Sequence, residues 1–503
     1  MSTSLTHQVY KVNQLQKYEA DAAQAIGINL FQLMERAGAA VFHNIRQYYP
    51  SVRRILVLSG KGNNGGDGYI AARLAHQAGM NVTVVVNAAR QQIKGDALQA
   101  LNQLEQCPVS ITFTAQASEV SDTVKSFSGE LILDCLFGIG LQGRLSSALT
   151  QLFSDINNKN CLRVSVDVPS GLNADLGIAT PIAVKADLTI TLIAYKQGLL
   201  TGQSANYVGE LHLETLEVNK TFAQFASTQC FRLANSQLPN FPKRQETSHK
   251  GSIGMLLTIG GHHDFTGAIC LASEAALRTG AALVSVCCHQ QSRNILLSRR
   301  PELMVAASNT KELAEARFLA KVKAIVLGPG LGRDSWSNAL FDLAIDFPQL
   351  KVVDADALYF LAQKPRKQKT WVLTPHPGEA AMLLTCTIAD IEADRFAAVK
   401  KIAQRYGGIC VLKGAGTLVS DGQSVWINTT GNSGMASGGM GDVLSGIIGG
   451  LILQTADLYQ AARLGVYIHG RAADIIAKKQ GQIGILASDL YPEIQRLINA
   501  ETY

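Results

Sequence analysis

The residues best suited to chemistry run from Gly431 to Asp442, a stretch of glycine and serine that ends in Gly439-Met440-Gly441-Asp442. An apolar run follows, from Val443 to Leu453. A glycine-rich loop that opens a buried helix offers an anion its backbone N–H groups and the positive end of the helix dipole. A carboxylate beside such a hole is unfavourable unless it acts. Taking a proton from a hydroxyl that attacks phosphate is a fitting task. The run points to nucleotide-dependent phosphoryl transfer in the C-terminal half, with Asp442 as the base and Gly441 among the backbone donors.

A second constellation stands in the N-terminal half. Five glycines fall among the nine residues Gly60 to Gly68, together with Asn63, Asn64 and Asp67. Such a loop lets a ligand touch the backbone. It is not the usual dinucleotide fingerprint, because its asparagines and aspartate add polar donors and acceptors. Taken alone it reads as a tight strand-to-helix turn. Two further polar strand ends share its edge: Asp134, before Gly138 to Arg144, and Asp167, before Val168-Pro169-Ser170-Gly171. Each aspartate taken singly reads as a helix cap or turn former. In a parallel sheet, ligands bind outside the carboxyl ends of the strands. Asn64, Asp134 and Ser170 offer one carboxylate among neutral oxygens, which suits K⁺ better than zinc.

The elements that must position these groups alternate. Arg54–Ser59 reads as a buried strand, the loop 60–68 follows, then a helix, then the strand at Val82 to Val86. Strands at Leu131 to Leu133, Val164 to Val166 and Leu188 to Leu192 continue the first half. A helix is expected from about Asp21 to Arg36. Pro239, Pro242 and the polar residues around them mark a linker. The second half restarts at Ile253, with a helix over Gly267 to Thr279 and later strands near Leu327, Val353, Leu373 and Leu412. Strands alternating with helices in both halves argue α/β architecture with mostly parallel sheets.

Bulk numbers bound the answer. At 503 residues two or three domains are expected, and 47% hydrophobic with 17% charged residues argues against wholesale disorder. A net charge of +6, with scattered Lys and Arg, argues against a nucleic-acid partner. Nine cysteines without a Cys-x-x-Cys pair read as buried thiols in a reducing compartment. The polar start and the short apolar runs argue against a signal peptide and a membrane span. A cytoplasmic protein is expected.

Residues 10–215 resemble the NAD(P)HX epimerase domain, on the Asn-Asn-Gly-Gly-Asp-Gly loop, the Asp134 loop and Asp167 to Gly171. The resemblance implies a Rossmann-like three-layer α/β/α domain. It implies that Asn64, Asp134 and Ser170 hold K⁺. It places the hydrated dinucleotide against Asn63, Asn64, Gly65, Gly66 and Asp67, against Gly138, Ile139, Gly140, Leu141, Gln142, Gly143 and Arg144, and against Asp167. Asp167 is the candidate acid and base.

Residues 245–500 resemble the nucleotide-dependent NAD(P)HX dehydratase, a ribokinase-like fold. The likeness rests on Thr266-Gly267-Ala268, Gly328 to Gly332, Thr374 to Glu379, Lys413 to Thr417 and Gly439 to Asp442. It implies nucleotide contacts from Lys413, Gly414, Ala415, Gly416, Thr417 and Gly441. It implies contacts to hydrated NAD(P)H from Ala268, Gly330, His376 and Asp442. Asp354 and Asp356 read as caps, with a metal role for Asp354 the weaker alternative.

The resulting expectation is a bifunctional repair enzyme, with residues 1–220 epimerising the R and S hydrates, 221–248 as linker and 249–503 dehydrating the S form. Its implied substrates are NADHX, NADPHX and ADP, with Mg²⁺ at the phosphates. ADP is the donor in the bacterial branch of the family and ATP in the eukaryotic branch. A homo-oligomer stays open. Two rivals stay open beside it: a vitamin or sugar kinase fused to a Rossmann-like domain, and a first half that only binds ligand.

Overall fold

The computed structural model describes residues 7–140, 143, 145–234 and 244–499. The chain divides into two compact units, Met1–Cys230 and Phe231–Tyr503. Apolar runs of the first unit form strands β1 (Gln8–Tyr10), β2 (Arg54–Ser59), β3 (Asn81–Val86), β4 (Ser110–Phe113), β5 (Leu131–Cys135), β6 (Leu162–Val166), β7 (Leu188–Leu192), β8 (Tyr195–Lys196) and β9 (Glu210–Glu214). Seven of them make a sheet in the order β4-β3-β2-β5-β6-β7-β9. Every pairing in it is parallel. β1 pairs separately with β8.

Alternation along β2 explains why both faces are covered. Ile55 and Val57 enter one core, with residues of the helices Leu30–Tyr48 and Asn63–Gln77. Leu56 and Leu58 enter another, with Val120, Val124, Leu152 and Phe153 of the helices Ala117–Ser126 and Ser147–Asn158. Side chains of a strand point to opposite faces with period two, so a run apolar at every position requires helices on both sides. The three-layer α/β/α expectation holds.

Two local expectations are corrected. The helix expected over Asp21 to Arg36 is two helices, Val12–Ala25 and Leu30–Tyr48. Gly27 (φ 78°) ends the first, and Asn29 caps the second by accepting from Gln32 N at 2.8 Å. The glycine-rich segment is a loop only as far as Gly62, because the helix begins at Asn63. Close packing outweighs the poor helix propensity of its glycines. A Cβ on Gly38 of the facing helix would lie 2.5 Å from Ile70 Cβ.

β10 (Cys230–Leu233) carries the chain into the second unit. The span 221–248 therefore holds the end of the helix Asn219–Phe225 as well as β10. The second unit has β11 (Met255–Ile259), β12 (Leu283–Cys287), β13 (Met304–Ala307), β14 (Val322–Leu327), β15 (Leu350–Val353), β16 (Trp371–Leu373), β17 (Ile409–Leu412), β18 (Leu418–Ser420) and β19 (Val425–Asn428). Their order is β13-β12-β11-β14-β15-β16-β17-β18-β19. Pairings are parallel up to β17 and antiparallel from β17 to β19. Helices Thr266–Arg278, Met440–Thr455 and Leu458–Gln480 cover one face, burying Leu256, Val284 and Val326 against Val443, Ile447 and Ile448.

Strand order reverses between β2 and β5 in the first unit, and between β11 and β14 in the second. Such switch points leave a crevice at the carboxyl ends of the strands. Among the described residues no helix is long and apolar enough to cross a membrane. No disulfide joins any of the nine cysteines; five are buried, and Cys386 is exposed.

Candidate active sites

In the first unit the strand ends enclose a cavity of about 870 Å³. Asn63, Asn64, Asp67, Gly138, Ile139, Gly140 and Asp167 all line it, so the structure brings these sequence candidates together. Gly65 and Gly66 are spent on packing. A Cβ on Gly65 would lie 2.2 Å from Gly60 O, and one on Gly66 2.5 Å from Met34 Sδ. Gly143 is exposed, with φ 82°. Leu141, Gln142 and Arg144 lie outside the described residues.

Asp134, at the end of β5, is fully buried. Its Oδ1 accepts from Ser170 Oγ at 2.5 Å and Leu136 N at 3.3 Å; its Oδ2 accepts from Ser165 Oγ and Ser170 N, both at 2.9 Å. Burial raises its pKa, and the Ser170 hydrogen bonds pull the other way. Ser170 Oγ also accepts from Phe137 N at 2.9 Å, next to Gly138. A Cβ on Gly138 would lie 3.3 Å from Asn64 Oδ1. Both polar atoms of the Asn64 side chain are buried without a partner.

Asp167 follows β6 with φ 65°, a left-handed conformation unfavourable for an aspartate. Its carboxylate holds the strain in place. Oδ1 accepts from Leu192 N at 3.0 Å and from the ammonium of Lys196. Lys196 itself is only 1% exposed, and donates also to Leu192 O at 2.8 Å and Thr191 Oγ1 at 3.1 Å. Asp67 and Glu19 share the cavity. Burial, then the charge of Asp167, pushes the pKa of Asp67 well above the ordinary carboxylate value, and Glu19 rises for the same reasons. Asp67, Glu19 and Asp167 thus share the cavity with the buried ammonium of Lys196. Sequence reading missed Lys196 and Glu19. The single charged residue in the segment 188–200 was the available signal for Lys196; Glu19 gave none.

In the second unit Gly439 (φ 88°) caps the helix Met440–Thr455, which places Asp442 in its first turn. Asp354 follows β15, Glu379 stands in the first turn of the helix Pro377–Leu384 after β16, and Lys413 follows β17. Lys413 Nζ lies 3.0 Å from Asp354 Oδ1 and 3.7 Å from Glu379 Oε2. Ser445 Oγ donates to Asp354 Oδ2 at 2.7 Å. A Cβ on Gly441 would stand 3.3 Å from Lys413 Nζ. Burial, then the charge of Asp354, pushes the pKa of Asp442 up to about 7, against the pull of Lys413. Burial works against charge on Lys413, but Asp354 and Glu379 outweigh it and raise its pKa. The arrangement is a base poised near neutrality beside a fixed cation.

The other candidates fall around this centre. Gly330 (φ 58°) packs against Ala268: a Cβ on it would lie 3.0 Å from Ala268 Cβ. His376 caps the helix Pro377–Leu384, its Nδ1 accepting from Gly378 N at 2.9 Å and Glu379 N at 3.3 Å. Gly414, Ala415, Gly416 and Thr417 form the turn between β17 and β18, closed by Thr417 Oγ1 donating to Gly414 O at 2.9 Å. Asp354, read from sequence as a cap, is instead the buried anchor of Lys413. Asp356 accepts from Gly332 N at 2.9 Å and pairs with Arg333.

Fold and sites together define a two-site α/β enzyme whose second unit is of ribokinase-like kind. Residues 30–198 match the family described as YjeF-related protein N-terminus, and residues 256–496 match NAD(P)H-hydrate dehydratase. The bifunctional NAD(P)H-hydrate repair enzyme Nnr of Coxiella burnetii is 41% identical over 498 residues, covering 98% of this chain and 99% of that protein. The enzyme of the same description from Escherichia coli is 42% identical over 500 residues, covering 99% and 95%. A ribokinase-like superfamily structure from Enterococcus faecalis superposes with a TM-score of 0.50 at 26% identity, covering 54% of this chain and 96% of that one. This chain belongs to the family of bifunctional NAD(P)H-hydrate repair enzymes. It unites an epimerase and a dehydratase.

Proposed function

We propose that the cavity of the first unit interconverts the R and S hydrates of NADH and NADPH, and that the second unit converts the S hydrate to NAD(P)H with ADP. The observation that carries this reading is Asp442, a base with a pKa near 7 beside Lys413 and the glycine-rich helix start. Asp442 takes the proton of the C6 hydroxyl. The hydroxyl oxygen attacks the terminal phosphorus of ADP, and AMP leaves. Phosphate then departs from C6 as a proton leaves C5, restoring the double bond. Hydroxide is a poor leaving group and phosphate a good one, so the phosphoryl group makes elimination feasible. Lys413, Gly441 and the turn Gly414 to Thr417 hold the nucleotide, while Ala268, Gly330 and His376 flank the hydrate. Glu379 and Asp442 offer the oxygen donors that Mg²⁺ prefers, and Mg²⁺ neutralises phosphate charge when bound. ADP is favoured over ATP because the two relatives described above are bacterial.

In the first unit Asp167 gives and takes the proton while the configuration at C6 changes, and Lys196 keeps its carboxylate in place. The orphaned amide of Asn64 fits a cation, with Asp134 and Ser170 supplying charge and oxygen. K⁺ there would fix the Phe137–Gly140 loop against the substrate. The enzyme works as a cytoplasmic protein, where nine thiols stay reduced.

One assay tests both activities. The chain is mixed with both hydrate epimers, Mg²⁺ and either ADP or ATP, and dihydronicotinamide absorbance is followed. Full recovery with ADP is expected. No recovery with either nucleotide rejects the dehydratase mechanism, and release of a stable phosphorylated product favours a small-molecule kinase instead. Recovery limited to the S share rejects the epimerase.

A further inference from the structure

Among the described residues one group of His, Cys, Asp and Glu side chains has metal-ligand spacing: His262, His263 and Asp264, with one donor atom of each within 4.8 Å of the other two. They form the turn between β11 and the helix Thr266–Arg278. Asp264 Oδ2 lies 3.6 Å from His262 Nδ1 and 3.4 Å from His263 Nε2. Donor atoms around a tetrahedral zinc ion at about 2.0–2.1 Å sit roughly 3.4 Å apart, and both separations from Asp264 are close to that spacing.

A second observation supports the grouping. His262 Nε2 faces Asp334 Oδ2 at 3.3 Å. Asp334 is itself fixed, accepting from Ser337 N at 2.9 Å and Ser337 Oγ at 2.8 Å. Metal-binding histidines commonly donate their other ring N–H to such a carboxylate, which sets the tautomer and leaves the facing nitrogen as a ligand. In that tautomer the Nδ1 lone pair of His262 accepts a long hydrogen bond from Asp264 N at 3.5 Å, with the Asp264 carboxylate beside it at 3.6 Å. The rings of His262 and His263 are 3.9 Å apart, and His289 stands 5.0 Å from His263.

We propose that His262, His263 and Asp264 form a binding site for a divalent transition metal of the zinc class, with Asp334 orienting His262. Two nitrogens and one carboxylate favour such an ion over Mg²⁺. Three protein ligands leave a fourth position for water or an anionic oxygen. His262 N also donates to Gly330 O at 2.7 Å. An ion here therefore pins the turn that leads to Ala268 against the Gly330 loop.

The test uses the full chain, stripped of metal and held in excess Mg²⁺, titrated with Zn²⁺ against a chromophoric chelator. One tight equivalent per chain is expected. His263→Ala and Asp264→Asn, at exposed side chains, should each weaken it by about 100-fold or more, and Asp334→Asn by about 10–100-fold. His43→Ala, on a helix of the first unit, should leave it unchanged. Co²⁺ as a second probe should give the visible absorption of a low-coordinate site in the parent and lose it in His263→Ala. Absence of a tight equivalent, or equal affinity in the parent, His263→Ala and Asp264→Asn, overturns the proposal.

Discussion

Lys413 Nζ stands 3.0 Å from Asp354 Oδ1, and both groups crowd the first turn of the helix that carries Asp442. The other oxygen of Asp354 accepts from Ser445, one helical turn after Asp442. One buried carboxylate thus ties the end of β15 to the end of β17 and to the helix Met440–Thr455. The cation at the anion hole is held by structure before any nucleotide arrives. Preorganised charge of this kind costs no reorganisation during phosphoryl transfer.

Asp442 should give the dehydratase its pH dependence. A base with pKa about 7 is half ionised at neutrality, so the rate should fall about tenfold per pH unit below that point. Asp442→Asn should lower kcat by roughly 10²–10⁴-fold. Stability should move the other way. The pKa is raised in the folded state, so the folded chain binds more protons than the unfolded one between the ordinary carboxylate value and about 7. This contribution to stability is complete in acid and is lost as pH rises through about 7. Asp442→Asn should therefore raise Tm at pH 8 and lose that advantage near pH 5. Thermal melts at the two pH values check the sign, and an equal shift at both would refute the burial argument.

Gly441 marks how little room the anion hole has. An added Cβ would come within 3.3 Å of Lys413 Nζ, which must give by a few tenths of an ångström against its pairing with Asp354. Gly441→Ala should fold with Tm nearly unchanged. The lysine shifts, and the space for phosphate shrinks. We expect the KM for ADP to rise by about tenfold, an effect of ~1.4 kcal/mol, with a smaller change in kcat. Steady-state kinetics with varied nucleotide decide it; an unchanged KM removes Gly441 from the nucleotide contacts.

The sequence made strand ends legible because period-two burial and glycine punctuation are local signals. Asp134 and Asp167 are legible that way, Asp442 through the glycine-rich run before its helix, and Lys413 through the family resemblance. The helix start at Asn63 was misread as loop, because its glycines look unfavourable until the tight contact of Gly38 with Ile70 is seen. Lys196 and Glu19 reach the first cavity from β8 and an N-terminal helix, and Asp354 meets Ser445 across 91 positions of chain. No window of sequence records such meetings. Asp354 looked like a cap because a carboxylate after a strand is usually one.

Gly65 tests the packing role assigned to it. A Cβ would sit 2.2 Å from the backbone oxygen of Gly60, which cannot swing aside. Gly65→Ala should displace the start of the helix Asn63–Gln77 and destabilise the first unit by about 1–3 kcal/mol or more. Loss of R-hydrate repair with continued S-hydrate repair is the expected assay result. Parental activity on the R form would show that the loop yields more easily than the geometry allows.

Lys196 is the cation paired with Asp167, and its burial makes the pair sensitive. Lys196→Met keeps the volume but leaves Asp167 in a cavity with Asp67 and Glu19 and no counter-charge from this side chain. Breaking a buried pair by removing one partner typically costs about 3–5 kcal/mol, because the remaining charge is uncompensated. Asp67 and Glu19, already raised by burial and by the charge of Asp167, lose the lowering pull of Lys196 and rise further. The variant's deficit in stability should then be largest at alkaline pH and shrink as acid neutralises the cavity. Its R-hydrate repair should fall to the uncatalysed rate, since the Asp167 carboxylate is no longer held in place by the ammonium, while S-hydrate repair with ADP continues. Melting curves at pH 5 and pH 8, read beside the two-epimer assay, separate the cases: a deficit independent of pH would mean that Lys196 acts through packing alone, and parental R-hydrate repair would mean that Asp167 works without it.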